Sequence, residues 1–411
     1  MQRILILGAG FAGLWSAVGA ARRLDELGIG PDHVEVVVIN RTAWHSIRVR
    51  NYEADLDGTR VRLGDVLDPI GVKHVEGEVT DIDLPGRTIA CSVQGNPRAF
   101  PYDRLVFALG SRLVRPAIPS LEEHAFDVDT YEGATRLNGH IAALPSRPPS
   151  PGQYTVLIVG GGLTGIETAT EMFGKLRAAA ADDALSDPTR PLRVILADRQ
   201  PWIGSDMGES ARPVIGEALR TLGIEARVGV SVASVDEQGA TLTTGERIAT
   251  ATVVWCAGMQ AHPLTACFPV QRDRFGRLPV DACLKIKGMT AEFAAGDVAW
   301  LPIDGTHPSV MSCQHARPMG RFAGHNVVCD LLGQPMRPLH IDRYVTVLDL
   351  GPWGAVYTEG WDRRVVSQGA AAKRTKEIIN RQRIYPPRSR DRREILDAGA
   401  PIVQTPPNLF H

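Results

Sequence analysis

Short apolar runs and segments of helical periodicity take turns along the chain. Arg3-Ile4-Leu5-Ile6-Leu7 is an apolar run that stops at Gly8-Ala9-Gly10-Phe11-Ala12-Gly13. Beyond the glycines, Leu14, Ala17, Val18, Ala21 and Leu24 recur at helical spacing and predict a helix with one apolar face. Val34-Glu35-Val36-Val37-Val38-Ile39 is the next apolar run. Strand, glycine turn, helix and strand in that order make a βαβ unit with parallel strands.

The same order returns further on. Thr155-Val156-Leu157-Ile158-Val159 leads into Gly160-Gly161-Gly162-Leu163-Thr164-Gly165. Ile166, Ala169, Thr170, Phe173 and Leu176 mark a helix face, and Leu192 to Ala197 is the following strand. Ser146 to Gly152, rich in proline and serine, reads as a surface connection before this unit, and Ala178 to Pro191 as an extended loop within it. From Lys373 to Arg393 basic residues dominate and Pro386-Pro387 breaks any helix, which predicts a solvated, partly flexible basic tail.

Both glycine turns are G-x-G-x-x-G between strand and helix. The first glycine permits the tight turn, the second lets backbone approach a pyrophosphate, and the third lets helix and strand pack closely. The helix start then offers free N–H groups and a positive dipole end to phosphate. Two such turns in one chain point to electron transfer between two bound dinucleotides. Asp198 ends the second strand of the second unit, where a carboxylate holds ribose hydroxyls and repels a 2′-phosphate, so NADH is expected over NADPH. Arg199 beside it works the other way. Asn40 takes the corresponding place in the first unit, followed by Arg41.

Composition narrows the partners. Over 411 residues, 45 Lys and Arg balance 46 Asp and Glu for a net charge of −1, so no global field gathers nucleic acid. The length allows two or three domains. The chain enters its first strand without a secretory leader, and no apolar run approaches the roughly 18 residues of a membrane span, so a cytoplasmic protein is expected. The six cysteines, at 91, 256, 267, 283, 313 and 329, have no close spacing, so neither a zinc site nor a disulfide framework is expected, and no metal.

Four stretches resemble the pyridine nucleotide–disulfide reductase superfamily, and within it the type II NADH:quinone oxidoreductases: Gly8 to Gly13, Val159 to Glu167, Val253 to Leu264, and Phe293-Ala294-Ala295-Gly296-Asp297. The resemblance covers roughly residues 1 to 330. It implies an α/β fold of two Rossmann-like dinucleotide-binding domains plus a C-terminal α+β segment. The FAD domain would be discontinuous, over residues 1–118 and 266–336. An NAD(P)H domain over 119–265 would be inserted between, and 337–411 would follow with the basic tail. FAD would be held by Gly8, Gly10, Phe11, Ala12, Gly13, Asn40, Arg41, Gly110, Gly296 and Asp297, the last on the ribityl chain, with a helix cap as the alternative for Asp297. NADH would be held by Gly160, Gly162, Leu163, Thr164, Gly165, Asp198, Ala257 and Gly258.

The resemblance also implies catalytic roles. Glu167 would lie near the nicotinamide–flavin contact; a carboxylate that merely complements a helix start is the alternative. Cys313 and Gln314 would begin a helix aimed at the flavin, with Gln314 at the quinone; a glutamine that only bonds nearby backbone is the alternative. Relatives carry a second glutamine where this chain has Pro318, which fits only in a first helical turn. Trp44 and His45 would sit near the flavin or serve packing. The linker strand Tyr102 to Ser111 has Leu109 where a threonine is usual. The C-terminal membrane-binding helix of many quinone reductases is not visible; an aromatic stripe of Tyr344, Trp353, Tyr357 and Trp361 stands there, expected to pack. Peripheral membrane contact and homo-oligomerisation stay open. A quinone-like acceptor is expected, with ferredoxin or a sulfide- or disulfide-linked acceptor as alternatives.

Overall fold

The computed structural model describes residues 1–180 and 191–407. Two five-stranded parallel sheets form its frame. The first unit contributes β1 (Gln2–Leu7), α1 (Phe11–Glu26), β2 (Val34–Asn40), β3 (Lys73–Glu76) and β4 (Arg104–Phe107). The second contributes β5 (Ala125–Phe126), β6 (Thr155–Val159), α2 (Leu163–Ala179), β7 (Arg193–Asp198), β8 (Glu225–Val228) and β9 (Thr252–Trp255). After it come β10 (Glu292–Ala294), α3 (Cys313–Leu331), β11 (Val345–Asp349), β12 (Ala355–Glu359), β13 (Arg364–Gln368) and α4 (Gly369–Ile378).

The first sheet runs β10-β4-β1-β2-β3 and the second β5-β9-β6-β7-β8, every pair parallel. The strand that feeds each glycine turn is therefore the central one. Parallel sheets are covered on both faces, so their central strands need unbroken apolar runs rather than alternation. Ile4, Leu5, Ile6 and Leu7 are all fully buried, as are Val156, Leu157 and Ile158. Each unit also carries a three-stranded antiparallel sheet, and β11, β12 and β13 form another beside α4.

α1 departs from a one-faced helix. Leu14, Ala17, Val18, Ala21 and Leu24 are buried as expected, but so are Trp15, Ser16, Gly19 and Ala20 on the other side. The reason is α3. A β-carbon at Gly320 would lie 2.3 Å from the Ala12 carbonyl oxygen, and one at Gly324 would lie 2.1 Å from that of Ser16. One at Gly19 would lie 2.7 Å from the Arg321 carbonyl. Backbone meets backbone along this seam, close enough for Cα–H···O contacts, so α1 is sandwiched between sheet and helix. In α2, Ile166, Ala169, Thr170 and Leu176 are buried and Phe173 only partly so. α2 runs through Ala179, past the expected start of the loop; residues 181–190 of that loop lie outside the described residues. Ser146 to Pro151 is exposed.

The expected solvated tail is the main correction. Lys373 and Lys376 belong to α4, and Lys376 is buried. A single π-helical turn follows at Ile379–Arg383, and Ile384, Tyr385, Ile395 and Leu396 pack into the first unit's core. Charge composition hid this because the apolar residues are few and widely spaced. The break at Pro386-Pro387 is real; the next helix starts at Arg392. Tyr344 and Tyr357 of the aromatic stripe are buried, and the Tyr344 and Trp361 rings stack at 4.5 Å. No helix among the described residues is long and apolar enough to cross a membrane.

The seam gives a stability prediction. Gly324→Ala must push α1 and α3 apart and should cost about 1–3 kcal/mol, as overpacking does. Chemical denaturation followed by tryptophan fluorescence should show a lower midpoint; an unchanged midpoint would mean that the helices separate freely.

Candidate functional site

α1, α2 and α3 are among the helices whose N-termini no side chain caps. The N-caps are Gly10 for α1, Gly162 for α2 and Ser312 for α3, none makes a side-chain cap hydrogen bond, and no acidic residue lies in any first turn. Free N–H groups at a helix start require an acceptor, and an anionic ligand can supply it.

The glycines explain how two of these ends are held. A β-carbon at Gly13 would lie 1.9 Å from the Gly8 carbonyl oxygen, and one at Gly165 would lie 1.7 Å from that of Gly160. Gly8 and Gly160 have φ of +91° and +113°, a conformation that side chains avoid. The middle glycines differ: at Gly10 a β-carbon would meet nothing within 4 Å, and at Gly162 only Asp206, at 3.7 Å. The outer glycines answer to the protein's own packing, and the middle ones leave open space in front of the helix starts.

The strand-end side chains brace these turns. Asn40 Oδ1 accepts from the Ala9 amide at 2.9 Å, and Asp198 Oδ2 accepts from the Gly161 amide. The other Asp198 oxygen accepts from the Gln200 amide at 2.7 Å. Arg41 and Arg199 beside them are exposed. His45 is fully buried beside the first turn, with Nδ1 2.8 Å from the Ala9 carbonyl and its ring edge-on to Phe11. Burial, with Arg317 adding to it, pushes His45 down to about 4, so it is neutral near pH 7 and donates from Nδ1 to Ala9. Trp44 lies under the Arg60 guanidinium, 4.7 Å from its ring centre.

Asp297 lies inside a short 3-10 turn over Gly296–Val298 whose N-cap is Ala295, so it is not a helix cap. Ser111 donates to it at 2.6 Å, and Arg48 donates to Ser111 Oγ at 3.1 Å while pairing with Asp129. Gly296, with φ +78°, rests against Ala12, and Gly110, with φ +72°, has open space beside it.

A cleft of about 1730 Å³ opens over the second glycine turn and the start of α3. One small-molecule pocket is typically about 300–1,000 Å³, so this one has room for more than one ligand. Its wall carries Gly160, Gly162, Leu163, Thr164, Glu167, Asp198, Ala257 and Gly258 from the second unit, Arg48 and Tyr52 from the first, and Cys313 and Gln314 from α3. Gly8, Gly10, Phe11, Ala12, Gly13, Asn40, Arg41, Gly110, Gly165, Gly296 and Asp297 are not on that wall. Arg48 and Ser111 connect the cleft to Asp297.

Glu167 is the fifth residue of α2 and does not serve the helix start. It is buried and accepts from Lys376 Nζ at 2.6 Å and from the Asp349 amide at 3.1 Å. Burial pushes the Glu167 carboxyl up, an effect that Lys376 offsets only in part. For Lys376, burial opposes the charge but Glu167 and Asp349 outweigh it, so its ammonium is held above the usual range. The Tyr52 hydroxyl donates to Asp349 at 3.1 Å and closes the group.

α3 begins at Cys313 as expected, but Pro318 is its sixth residue, beyond the first turn. Without an N–H there, the Gln314 carbonyl loses its intrahelical donor. Proline is accommodated because the helix is held from outside along the α1 seam. Sequence reasoning did not find Arg48, Lys376, Arg317 or Arg321; the last two are buried on α3 and line the cleft. Each depends on elements distant in the chain, and only the spacing of Arg317 and Arg321, four apart on a helix, left a local trace.

The sequence pattern of the pyridine nucleotide-disulphide oxidoreductases matches residues 2–320. The chain belongs to that family. This oxidoreductase is 56% identical over 407 residues to an NADH dehydrogenase-like protein of Mycobacterium tuberculosis, covering 99% of this chain and 100% of the relative. It is 29% identical over 326 residues to the type II NADH:quinone oxidoreductase Ndh of that organism, covering 72% of this chain and 67% of the relative. It shares its fold with NDH2 from Plasmodium falciparum, solved in complex with NADH, at a TM-score of 0.77 and 14% identity over 97% of each chain.

The buried pair separates packing from chemistry. Glu167→Gln strands the Lys376 charge and should cost about 3–5 kcal/mol of stability. Glu167→Gln with Lys376→Met removes both charges and should restore most of that stability. Calorimetric midpoints of the two variants check it, and equal losses in both would show that the charges are not coupled.

Proposed function

We propose that this oxidoreductase transfers hydride from NADH to FAD and passes the electrons to a quinone-like acceptor. The observation that carries the reading is the single cleft that brings the second glycine turn, Glu167 and the uncapped start of α3 onto one wall.

FAD fits the first turn, where Gly10 leaves an open cradle at the start of α1. Gly8, Phe11, Ala12 and Gly13 shape that cradle, Asn40 and Arg41 face the ribose, and Gly110, Gly296 and Asp297 hold the ribityl chain. When bound, FAD supplies the two-electron chemistry that no side chain can. Gly160, Gly162, Leu163, Thr164 and Gly165 would hold the NADH pyrophosphate, Asp198 its ribose, and Ala257 and Gly258 its nicotinamide half. Glu167 helps bring the nicotinamide to reacting distance, and Lys376 fixes its carboxylate. The start of α3, at Cys313 and Gln314, presents its positive dipole end to the charge that reduction creates. Gln314 faces the acceptor. Overall, NADH and one proton from water reduce a quinone to its quinol and leave NAD⁺.

No cysteine precedes Cys91, so α1 carries no redox-active pair, which leaves a disulfide-linked acceptor with less support. Pro318 in place of a second glutamine supports an altered acceptor pocket, suited to short-tailed soluble quinones more than to long-tailed membrane quinone.

Purified protein should be yellow, with about one non-covalent FAD per chain, and NADH should bleach it anaerobically. Colourless protein that takes up no FAD on reconstitution would sink the reading. NADH should outpace NADPH in stopped-flow reduction, because the Asp198 charge is fixed where a 2′-phosphate would approach. Asp198→Ala should narrow the difference; NADPH as the faster donor of the unaltered enzyme would reverse the assignment.

A further inference from the structure

Arg317 and Arg321, four residues apart on α3, share a helix face. They are 9% and 2% exposed, and both line the cleft. Other buried arginines in this fold have a carboxylate: Arg50 pairs with Glu53 at 2.6 Å, and Arg277 with Asp273 at 2.8 Å. Among the described residues, no carboxylate lies within ion-pair distance of Arg317 or Arg321. Their Nε atoms, with Nε1 of Trp15, are buried donors without a partner. Both guanidinium groups lie over the Trp15 ring, at 5.2 and 4.2 Å, so the three orphan donors form one cluster. A ring face stabilises a cation but accepts none of these hydrogen bonds. Burying a charge without a counter-charge is costly, and here two like charges share one wall.

The surroundings repeat the theme. Arg383, on the C-terminal segment, also lines the cleft, and its charge acts on Arg317. The chain as a whole is at −1, yet the cleft is lined by ten arginine and lysine residues and only four acidic ones. Gln314, Pro318, Ile379 and Ile384, which are apolar or neutral, also line the cleft. Burial pushes both guanidinium groups down, to about 10 for Arg317 and about 9 for Arg321, so each still carries its charge near neutrality.

We infer that Arg317, Arg321 and the Trp15 indole form an anion subsite at the acceptor end of the cleft, so that the preferred acceptor carries a carboxylate, sulfonate or phosphate group. The planar guanidinium fork matches such a group with two parallel hydrogen bonds. The apolar neighbours accept the ring that takes the electrons. The anionic group binds and does not react, so the electron and proton balance is that of any quinone. This inference rests on the acceptor reading above and sharpens it: a neutral lipid quinone leaves the orphan donors unmet, whereas an acidic quinone satisfies them.

The test uses FAD-loaded enzyme and two acceptors that share a ring, 1,2-naphthoquinone and its 4-sulfonate. Arg317→Met, Arg321→Met and the double variant keep side-chain length and remove the charge. Each single change should lower the ratio of kcat/KM for the sulfonate to that for the neutral quinone about tenfold, as expected for loss of a charge-assisted hydrogen bond. Arg321→Lys should fall between, because it keeps charge without the fork. A second arm needs no turnover. Titration with naphthalene sulfonate, a redox-inert probe, should quench tryptophan fluorescence and raise the thermal midpoint of the unaltered enzyme, and do neither in the double variant. An unchanged acceptor ratio with unchanged probe binding overturns the subsite. Loss of FAD from the arginine variants overturns it as well, by assigning the arginines to the flavin phosphates. If no quinone is reduced at all, the acceptor reading falls, and the probe titration alone still decides the anion subsite.

Discussion

At Gly13 a β-carbon would stand 1.9 Å from the carbonyl oxygen of Gly8, and at Gly165 one would stand 1.7 Å from that of Gly160. This near-contact of a helix with the turn that feeds it is the constraint from which the rest of the site follows. Only hydrogen at those positions lets the first turn of the helix close on the end of the central strand. Once it is there, the ladder fixes it: the Gly8 amide donates to Ile39 at 2.7 Å, and the Gly160 amide to Ala197 at 2.8 Å. The free N–H groups of the helix are then held at the C-terminal edge of a parallel sheet, with Asn40 and Asp198 bracing the turns from the neighbouring strands. A binding cradle arises from close packing, with no side chain devoted to capping it.

The C-terminal segment supplies what the two sheets lack. Lys376 meets Glu167 in the second unit. Tyr385 accepts from Arg50 at 2.6 Å and donates to the Gly58 carbonyl at 2.7 Å in the first. Tyr52 reaches back to Asp349. These polar bonds cross between elements far apart in the chain and are buried or nearly so, where loss of one partner is expensive. The segment therefore ties the two units together where it lines the cleft.

What could be read without coordinates was whatever is local. The two glycine turns and the strands before and after them follow from spacing within some thirty residues of chain, and the start of α3 at Cys313 from the family resemblance. The second face of α1 was not legible, because Ser16, Gly19 and Ala20 look like the small side of an amphipathic helix and Trp15 stands alone among them until α3 covers all four. Lys376 sits in a run of basic residues that reads as solvated, and its burial is set by Glu167, far away in the chain. Arg317 and Arg321 look like surface residues for the same reason. Pro318 misled in the opposite direction: the rule that confines proline to a first turn assumes a helix supported by its own hydrogen bonds, whereas α3 is clamped along the α1 seam.

The first sheet ends on β10, whose Phe293 pairs beside Val106 of β4, while the whole second unit is threaded between them. During synthesis, β4 waits with an open edge until the ribosome has delivered everything up to Ala294. The second sheet has all five of its strands by Trp255 and can close first. Its closure draws the two ends of the insertion together and shortens the effective loop that the later pairing must span. The unit that is second in the chain thus becomes a scaffold for completing the one that begins it. An open parallel edge that persists this long is also the place where misassembly between nascent chains would start.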